Sequence, residues 1–183
     1  RRELGVGTVF NALGPLTNPA QPTYAAVGVA DSRLAPLMAG VFAARGRRAA
    51  VFRGEDGLDE LTLAGPSRVW WVADRAISQH LLAPEDVGLD RAPLDALRGG
   101  DPAHNAEVVH ALLRGERGPV RDAVLLNTGM AMAVASGSVP ADPGGTDRLV
   151  EEVRSGIERA AGTIDSGAAA GALDRWVAAT RSV

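Results

Sequence analysis

Lysine is missing from this sequence: all 19 basic residues are arginine. Schiff-base chemistry and a lysine clamp on phosphate are therefore excluded from this chain. Cysteine is absent too, which removes disulfides, thiolate metal sites and cysteine nucleophiles and fits a reducing, cytoplasmic setting. No apolar run approaches the length of a membrane-spanning helix, and the opening Arg1-Arg2-Glu3-Leu4-Gly5 is unlike a signal peptide. Neither a membrane span nor a targeting segment is expected. With 19 basic against 22 acidic residues and a net charge of -3, the chain offers no electrostatic footprint for nucleic acid or an anionic membrane.

What is present is the composition of a globular protein, 46% hydrophobic and 22% charged over 183 residues. That length suffices for one domain with a sizeable core, or for one domain plus part of another. The chain opens without Met on what reads as the middle of a helix, so it is expected to be a piece of a longer polypeptide. Leu4, Val6, Val9, Phe10, Leu13 and Leu16 recur at mostly helical spacing, and Thr17-Asn18-Pro19 ends that pattern.

After a Pro-rich joint to Pro22, the run Tyr24 to Val29 has strand length. Asp31-Ser32 is expected to cap a helix whose stripe is Leu34, Leu37, Met38, Val41 and Phe42, ending near Gly46. Ala49 to Phe52 reads as a second buried strand. Strand, helix, strand in about thirty residues is a βαβ unit, which requires parallel strands. Arg68 to Ala73 and Ala76 to Leu82 then read as a hairpin turning at Asp74-Arg75. In it Trp70 and Trp71 face opposite ways, one expected in the core and the other at a surface or interface. The second half reads as helical over Ala92 to Leu97, Pro102 to Leu113, Pro119 to Ala135, Thr146 to Ser166 and Ala168 to Thr180. The Ala-rich stretch Ala123 to Ala135 predicts a helix packed closely on most sides. The fold class is α/β, a mostly parallel sheet with flanking helices.

Two stretches could carry chemistry. Gly54-Glu55-Asp56-Gly57-Leu58-Asp59-Glu60 follows the second strand directly, where ligands of α/β sheets bind. Four carboxylates so close repel one another, and a hard cation would relieve that; magnesium needs only one or two carboxylates besides water and phosphate oxygens. Gly54 and Gly57 would allow the loop to turn tightly enough to aim Asp59 and Glu60 at one point. A solvated acidic loop accounts for the same residues. The second stretch is Thr8 to Pro19, in which Gly14-Pro15 must end or kink a helix and would let a flat ligand approach. A plain helix terminus with two Asn residues explains it equally.

The motifs RRELG, FNALGPLTNPA, GEDGLDELT, LRGGD with Asn105-Ala106, and DAVLLN resemble, in this order, the anthranilate phosphoribosyltransferases along nearly the whole chain. FNALGPLTNP followed at this distance by DGLDE is the specific combination. The resemblance implies transfer of a phosphoribosyl group from 5-phosphoribosyl 1-pyrophosphate (PRPP) to the amine of anthranilate, a step of tryptophan biosynthesis. It implies a phosphoribosyltransferase-like C-terminal domain over residues 19–183, and a remnant of a small helical domain over residues 1–18. It also implies Mg2+ held by Asp59 and Glu60, and anthranilate contacts from Arg1, Gly14 and Pro15, Arg1 facing the carboxylate. A homodimer is implied as well.

Some positions depart from the pattern. Gly7 stands where an Arg is usual before Thr8, and Arg53 where a His is common. Either could alter affinity or mark a different substrate. The family's glycine-rich pyrophosphate loop and its Lys-His-Gly-Asn stretch would lie upstream of residue 1, so this segment alone is expected to be inactive.

The remaining candidates are bland. Asp101 reads as a helix cap with Pro102 at the first helical position, not as a phosphate loop. His80, His104 and His110 are dispersed, each fitting a surface or capping role, and Ser136-Gly137-Ser138 has no partnered base. Two rival functions stand beside the transferase: a pyrimidine nucleoside phosphorylase of the same fold, and a non-catalytic relative that binds nucleic acid.

Overall fold

A computed structural model describes residues 14–181. Its sheet has the order β1 (Tyr24–Gly28), β2 (Arg48–Gly54), β3 (Ser67–Ala73), β4 (Ala76–Leu82), and helix α1 (Leu34–Ala44) crosses from β1 to β2. The β1–β2 pair is parallel, Val27 lying beside Val51, as a βαβ unit demands. The sheet as a whole is mixed, because β2–β3 and β3–β4 are antiparallel. Parallel character, expected for most of the sheet, is thus confined to the β1–β2 edge. For β3–β4 the physical reason is the short connection: Asp74 and Arg75, with φ of 51° and 64°, make a two-residue turn that can only return the chain antiparallel, while residues 55–66 between β2 and β3 contain no crossover helix.

Short 3-10 turns, Pro84–Val87 and Leu94–Leu97, lead to α2 (Pro102–Leu113), α3 (Pro119–Ser136), α4 (Thr146–Asp165) and α5 (Ala168–Arg181). The expected helix at Ala92 to Leu97 is only the second of these turns. α2 begins where its cap predicts: Asp101 Oδ1 accepts the His104 N–H at 2.8 Å, and Pro102 opens the helix. Among the described residues no helix is long and apolar enough to cross a membrane.

Both faces of the sheet are covered. Alternation sends Ala49, Val51, Trp70 and Val72 toward α1, where Met38, Ala39 and Phe42 meet them. It sends Ala50, Phe52, Val69 and Trp71 toward the other core, which holds Leu126 and Met130 of α3 and Leu149 and Val153 of α4. Trp70 and Trp71 do face opposite ways, yet both are buried. The expectation of one surface tryptophan fails because helices cover both sides.

α3 and α4 cross where Gly129 meets Gly156. A methyl group on Gly129 would lie 2.7 Å from the Val153 carbonyl oxygen, so the close packing expected of the Ala-rich helix is realised there. At α1 the buried stripe is Ala35, Met38, Ala39, Phe42 and Ala43, while Leu37 is 65% exposed. Asp31 does not cap that helix. Its carboxylate accepts the Arg33 N–H and side chain just outside it, and no side-chain bond caps α1.

Candidate functional site

The acidic turn grows out of the buried strand β2, which fixes where it starts. The Gly54 N–H donates to the Leu58 carbonyl at 2.9 Å and the Gly57 N–H to the Gly54 carbonyl at 3.0 Å, folding the turn back on the strand end. Gly57 has φ +104°, a conformation that side chains disfavour. At Gly54 the limit is space: an added Cβ would lie 2.3 Å from Asp56 Oδ1.

The four carboxylates divide into two pairs. Glu55 Oε1 accepts from Arg68 Nε at 3.0 Å. Asp56 is bound twice, its Oδ1 accepting the Leu58 N–H at 3.0 Å and its Oδ2 accepting the Thr62 hydroxyl at 2.7 Å. Thr62 is itself buried, and its N–H donates to Ser67 Oγ at 3.0 Å. Asp59 and Glu60 are exposed, and neither side chain has a hydrogen-bond or ion-pair partner among the described residues. The turn therefore spends two carboxylates on its own shape and leaves two adjacent ones available.

That available pair sits at the carboxyl ends of the parallel strands. The Asp59 carbonyl oxygen packs directly on Gly28, the last residue of β1, where a Cβ would lie only 1.6 Å from it. On the other side, Leu61 is held by Asn127 of α3: the Leu61 N–H donates to Asn127 Oδ1 at 3.1 Å, and Asn127 Nδ2 donates to the Leu61 carbonyl at 3.1 Å. Arg53 Nε donates to the Ala30 carbonyl at 2.9 Å, tying the segment after β1 to the end of β2. Asp31, on that segment, is already committed, since its bond from Arg33 lowers its carboxyl to about 2.

Among the described residues no three His, Cys, Asp or Glu side chains gather as a closed metal cage. Two unpaired carboxylates without a third ligand fit Mg2+ that takes its other oxygens from phosphate and water. They do not fit a tetrahedral transition-metal site.

The other expected site residues lie elsewhere. Arg1 is outside the described residues. Gly14, Pro15 and Leu16 are helical and precede β1. Pro15 lines a cavity of about 540 Å³ with Phe42, Arg45 and Arg47. Arg45 donates to the Leu16 carbonyl, and Arg47 donates to the Gln21 carbonyl at 2.8 Å. These arginines precede β2 and the acidic turn follows it. The seven residues of β2 thus separate the two groups by roughly 20 Å.

Sequence reasoning missed Gly28, Thr62, Ser67 and Asn127, the residues that hold the turn. Two of them gave a signal without a role, Thr62 closing the motif GEDGLDELT and Asn127 closing DAVLLN. His80 differs from expectation as well. It is buried, bonded to Ser78 Oγ at 2.8 Å and Thr146 Oγ1 at 2.9 Å, and loss of hydration lowers its pKa. Ser136 and Ser138 bond to each other at 2.8 Å, and among the described residues no His or carboxylate bonds to either.

Residues 1–170 match the family model described as the glycosyl transferase family, a/b domain. A curated anthranilate phosphoribosyltransferase of Nocardioides sp. is 58% identical over 180 residues, 98% of this chain and 51% of that protein. The crystal structure of the Thermus thermophilus enzyme of that name superposes with a TM-score of 0.80 at 40% identity, over 97% of this chain and 49% of that one. A variant of the Saccharomyces cerevisiae enzyme with Mg bound gives 0.85 at 28% identity, over 100% and 50%. The yeast enzyme in complex with PRPP and Mg gives 0.70 at 25% identity, over 93% and 50%. The chain spans about half the length of the curated relatives it matches. The family model spans residues 1–170 and the relatives cover nearly the whole chain: the chain belongs to the glycosyl transferase family and carries its a/b domain.

Proposed function

We propose that this chain is the metal-holding part of an anthranilate phosphoribosyltransferase, which moves the phosphoribosyl group of PRPP onto anthranilate for tryptophan biosynthesis. The observation that carries the reading is the unpaired Asp59–Glu60 pair, fixed at the carboxyl ends of β1 and β2. Relatives more than half identical to this chain over nearly its whole length bear that name, and a neighbour of the same fold was solved with PRPP and Mg.

In the reaction the anthranilate nitrogen forms a bond to the anomeric carbon while the bond from that carbon to the pyrophosphate oxygen breaks. The amine then releases a proton to solvent. Its lone pair attacks without prior deprotonation, so no protein base or nucleophile is required. Bound Mg2+ would supply positive charge against the departing pyrophosphate. Asp59 and Glu60 would hold that ion and so orient the leaving group, which is positioning together with electrostatic stabilisation.

Arg1, Gly14 and Pro15 are assigned to the anthranilate side, Arg1 pairing with the carboxylate so that the amine is aimed. That assignment carries a geometric condition: the joint from Thr17 to Pro22 must bring this group toward the acidic turn. Residues 1–18 belong on this reading to a small helical domain and residues 19–183 to the α/β domain, in a cytoplasmic homodimer.

The test is an assay of the full-length protein with PRPP and anthranilate against phosphate and thymidine. Consumption of anthranilate, dependent on PRPP and Mg2+, is expected. Phosphorolysis of thymidine without anthranilate turnover would replace the transferase by a nucleoside phosphorylase.

A further inference from the structure

Asn127 is a misfit in its helix. Its neighbours on α3, Leu125, Leu126 and Met130, are buried apolar residues, and Asn is a poor helix former because its amide competes for backbone bonds. Here the amide is fully used. Oδ1 accepts the Leu61 N–H at 3.1 Å, and Nδ2 donates to the Leu61 carbonyl at 3.1 Å and to the Ala123 carbonyl at 3.0 Å. One side chain thus satisfies both backbone groups of a single loop residue, 66 positions away in sequence.

Leu61 immediately follows Glu60, and its side chain is 1% exposed. One residue before Glu60, the Asp59 carbonyl rests on Gly28. The two available carboxylates are therefore strung between two fixed backbone points, one on β1 and one on α3. Asp56 and Thr62 brace the same loop but act further from the pair. Removing the α3 anchor would free the backbone on the Glu60 side while leaving both carboxylates in place.

We propose that Asn127 is a positioning residue for the metal-holding pair, setting the direction in which Asp59 and Glu60 leave the core. The inference rests on the reading of those two as Mg2+ ligands. Groups that orient metal ligands typically change metal affinity on the order of 10- to 100-fold when removed. An Asn that served stability alone would change the unfolding midpoint and the amount of active protein, but not the metal requirement.

The experiment measures, in the full-length protein, Mg2+ binding in the presence of PRPP by calorimetry and the unfolding midpoint, and beside them the Mg2+ concentration for half-maximal turnover at saturating PRPP and anthranilate. Wild type, Asn127→Leu, Asn127→Asp and Asp59→Asn are compared. Asn127→Leu is expected to raise the Mg2+ requirement about tenfold with the KM for anthranilate unchanged. Asn127→Asp keeps an acceptor for the Leu61 N–H but sets a carboxylate oxygen against the Leu61 and Ala123 carbonyls, and is expected to raise the requirement at least as far as Leu does. Should Asn127→Leu fail to fold, Asn127→Asp carries the same decision. An unchanged Mg2+ requirement in the position-127 variants, beside a raised one in Asp59→Asn, overturns the positioning role alone. An unchanged requirement in Asp59→Asn overturns the metal reading beneath it as well.

Discussion

The two ends of β2 treat charge in opposite ways. At its start, Arg45, Arg47, Arg48 and Arg75 gather, and each of them is already bonded. Arg45 and Arg47 hold backbone carbonyls of the joint before β1, Arg75 donates to the Ala44 carbonyl at 2.8 Å, and Arg48 pairs with Asp74 at 3.1 Å. At its finish, four carboxylates gather and, among the described residues, two of them are bonded. Charge density alone would mark both ends as sites. What separates them is whether a charge is left without an internal partner among the described residues, as Asp59 and Glu60 are at the carboxyl end.

The sharpest way to break that distinction is at Gly28. Gly28→Ala places a methyl group 1.6 Å from the Asp59 carbonyl oxygen, a backbone atom that cannot swing aside as a side chain would. Overpacking of this kind costs about 2 kcal/mol. The unfolding midpoint and the turnover of the full-length protein are both expected to fall, whereas intact turnover would show that the turn need not rest on β1.

A smaller effect tests the division within the turn itself. Asp56→Ala loses bonds to Leu58 and Thr62, and at this exposed position should cost about 1 kcal/mol in a denaturant titration. Asp59→Asn removes no bond and one repulsion, so its stability should stay within about 0.5 kcal/mol of wild type. Equal losses in the two variants would mean that Asp59 is as structural as Asp56.

Much of the fold was legible because its signals are local. The Asp74-Arg75 turn, the Asp101-Pro102 helix start and the βαβ spacing each lie within a few residues of what they specify. Burial of both Trp70 and Trp71 was not legible, since it depends on α1 and α3 lying on opposite faces of the sheet. The acidic turn was likewise visible as a run of charge. Which carboxylates it keeps free was not, because the partners that decide are Thr62, Arg68, Gly28 and Asn127, brought in by strand pairing and helix packing. Family resemblance selected Asp59 and Glu60, and the hydrogen bonds supply a physical reason for choosing them over Glu55 and Asp56.

The central claim is that Asp59 and Glu60 are kept unpaired in order to hold Mg2+. It is tested most directly by the Mg2+ dependence of turnover in the full-length protein carrying Asp59→Asn together with Glu60→Gln, with unfolding followed in parallel. The prediction is loss of turnover at Mg2+ concentrations that saturate the wild type, with an unfolding midpoint that stays in place. A double variant that keeps the wild-type Mg2+ curve would contradict it.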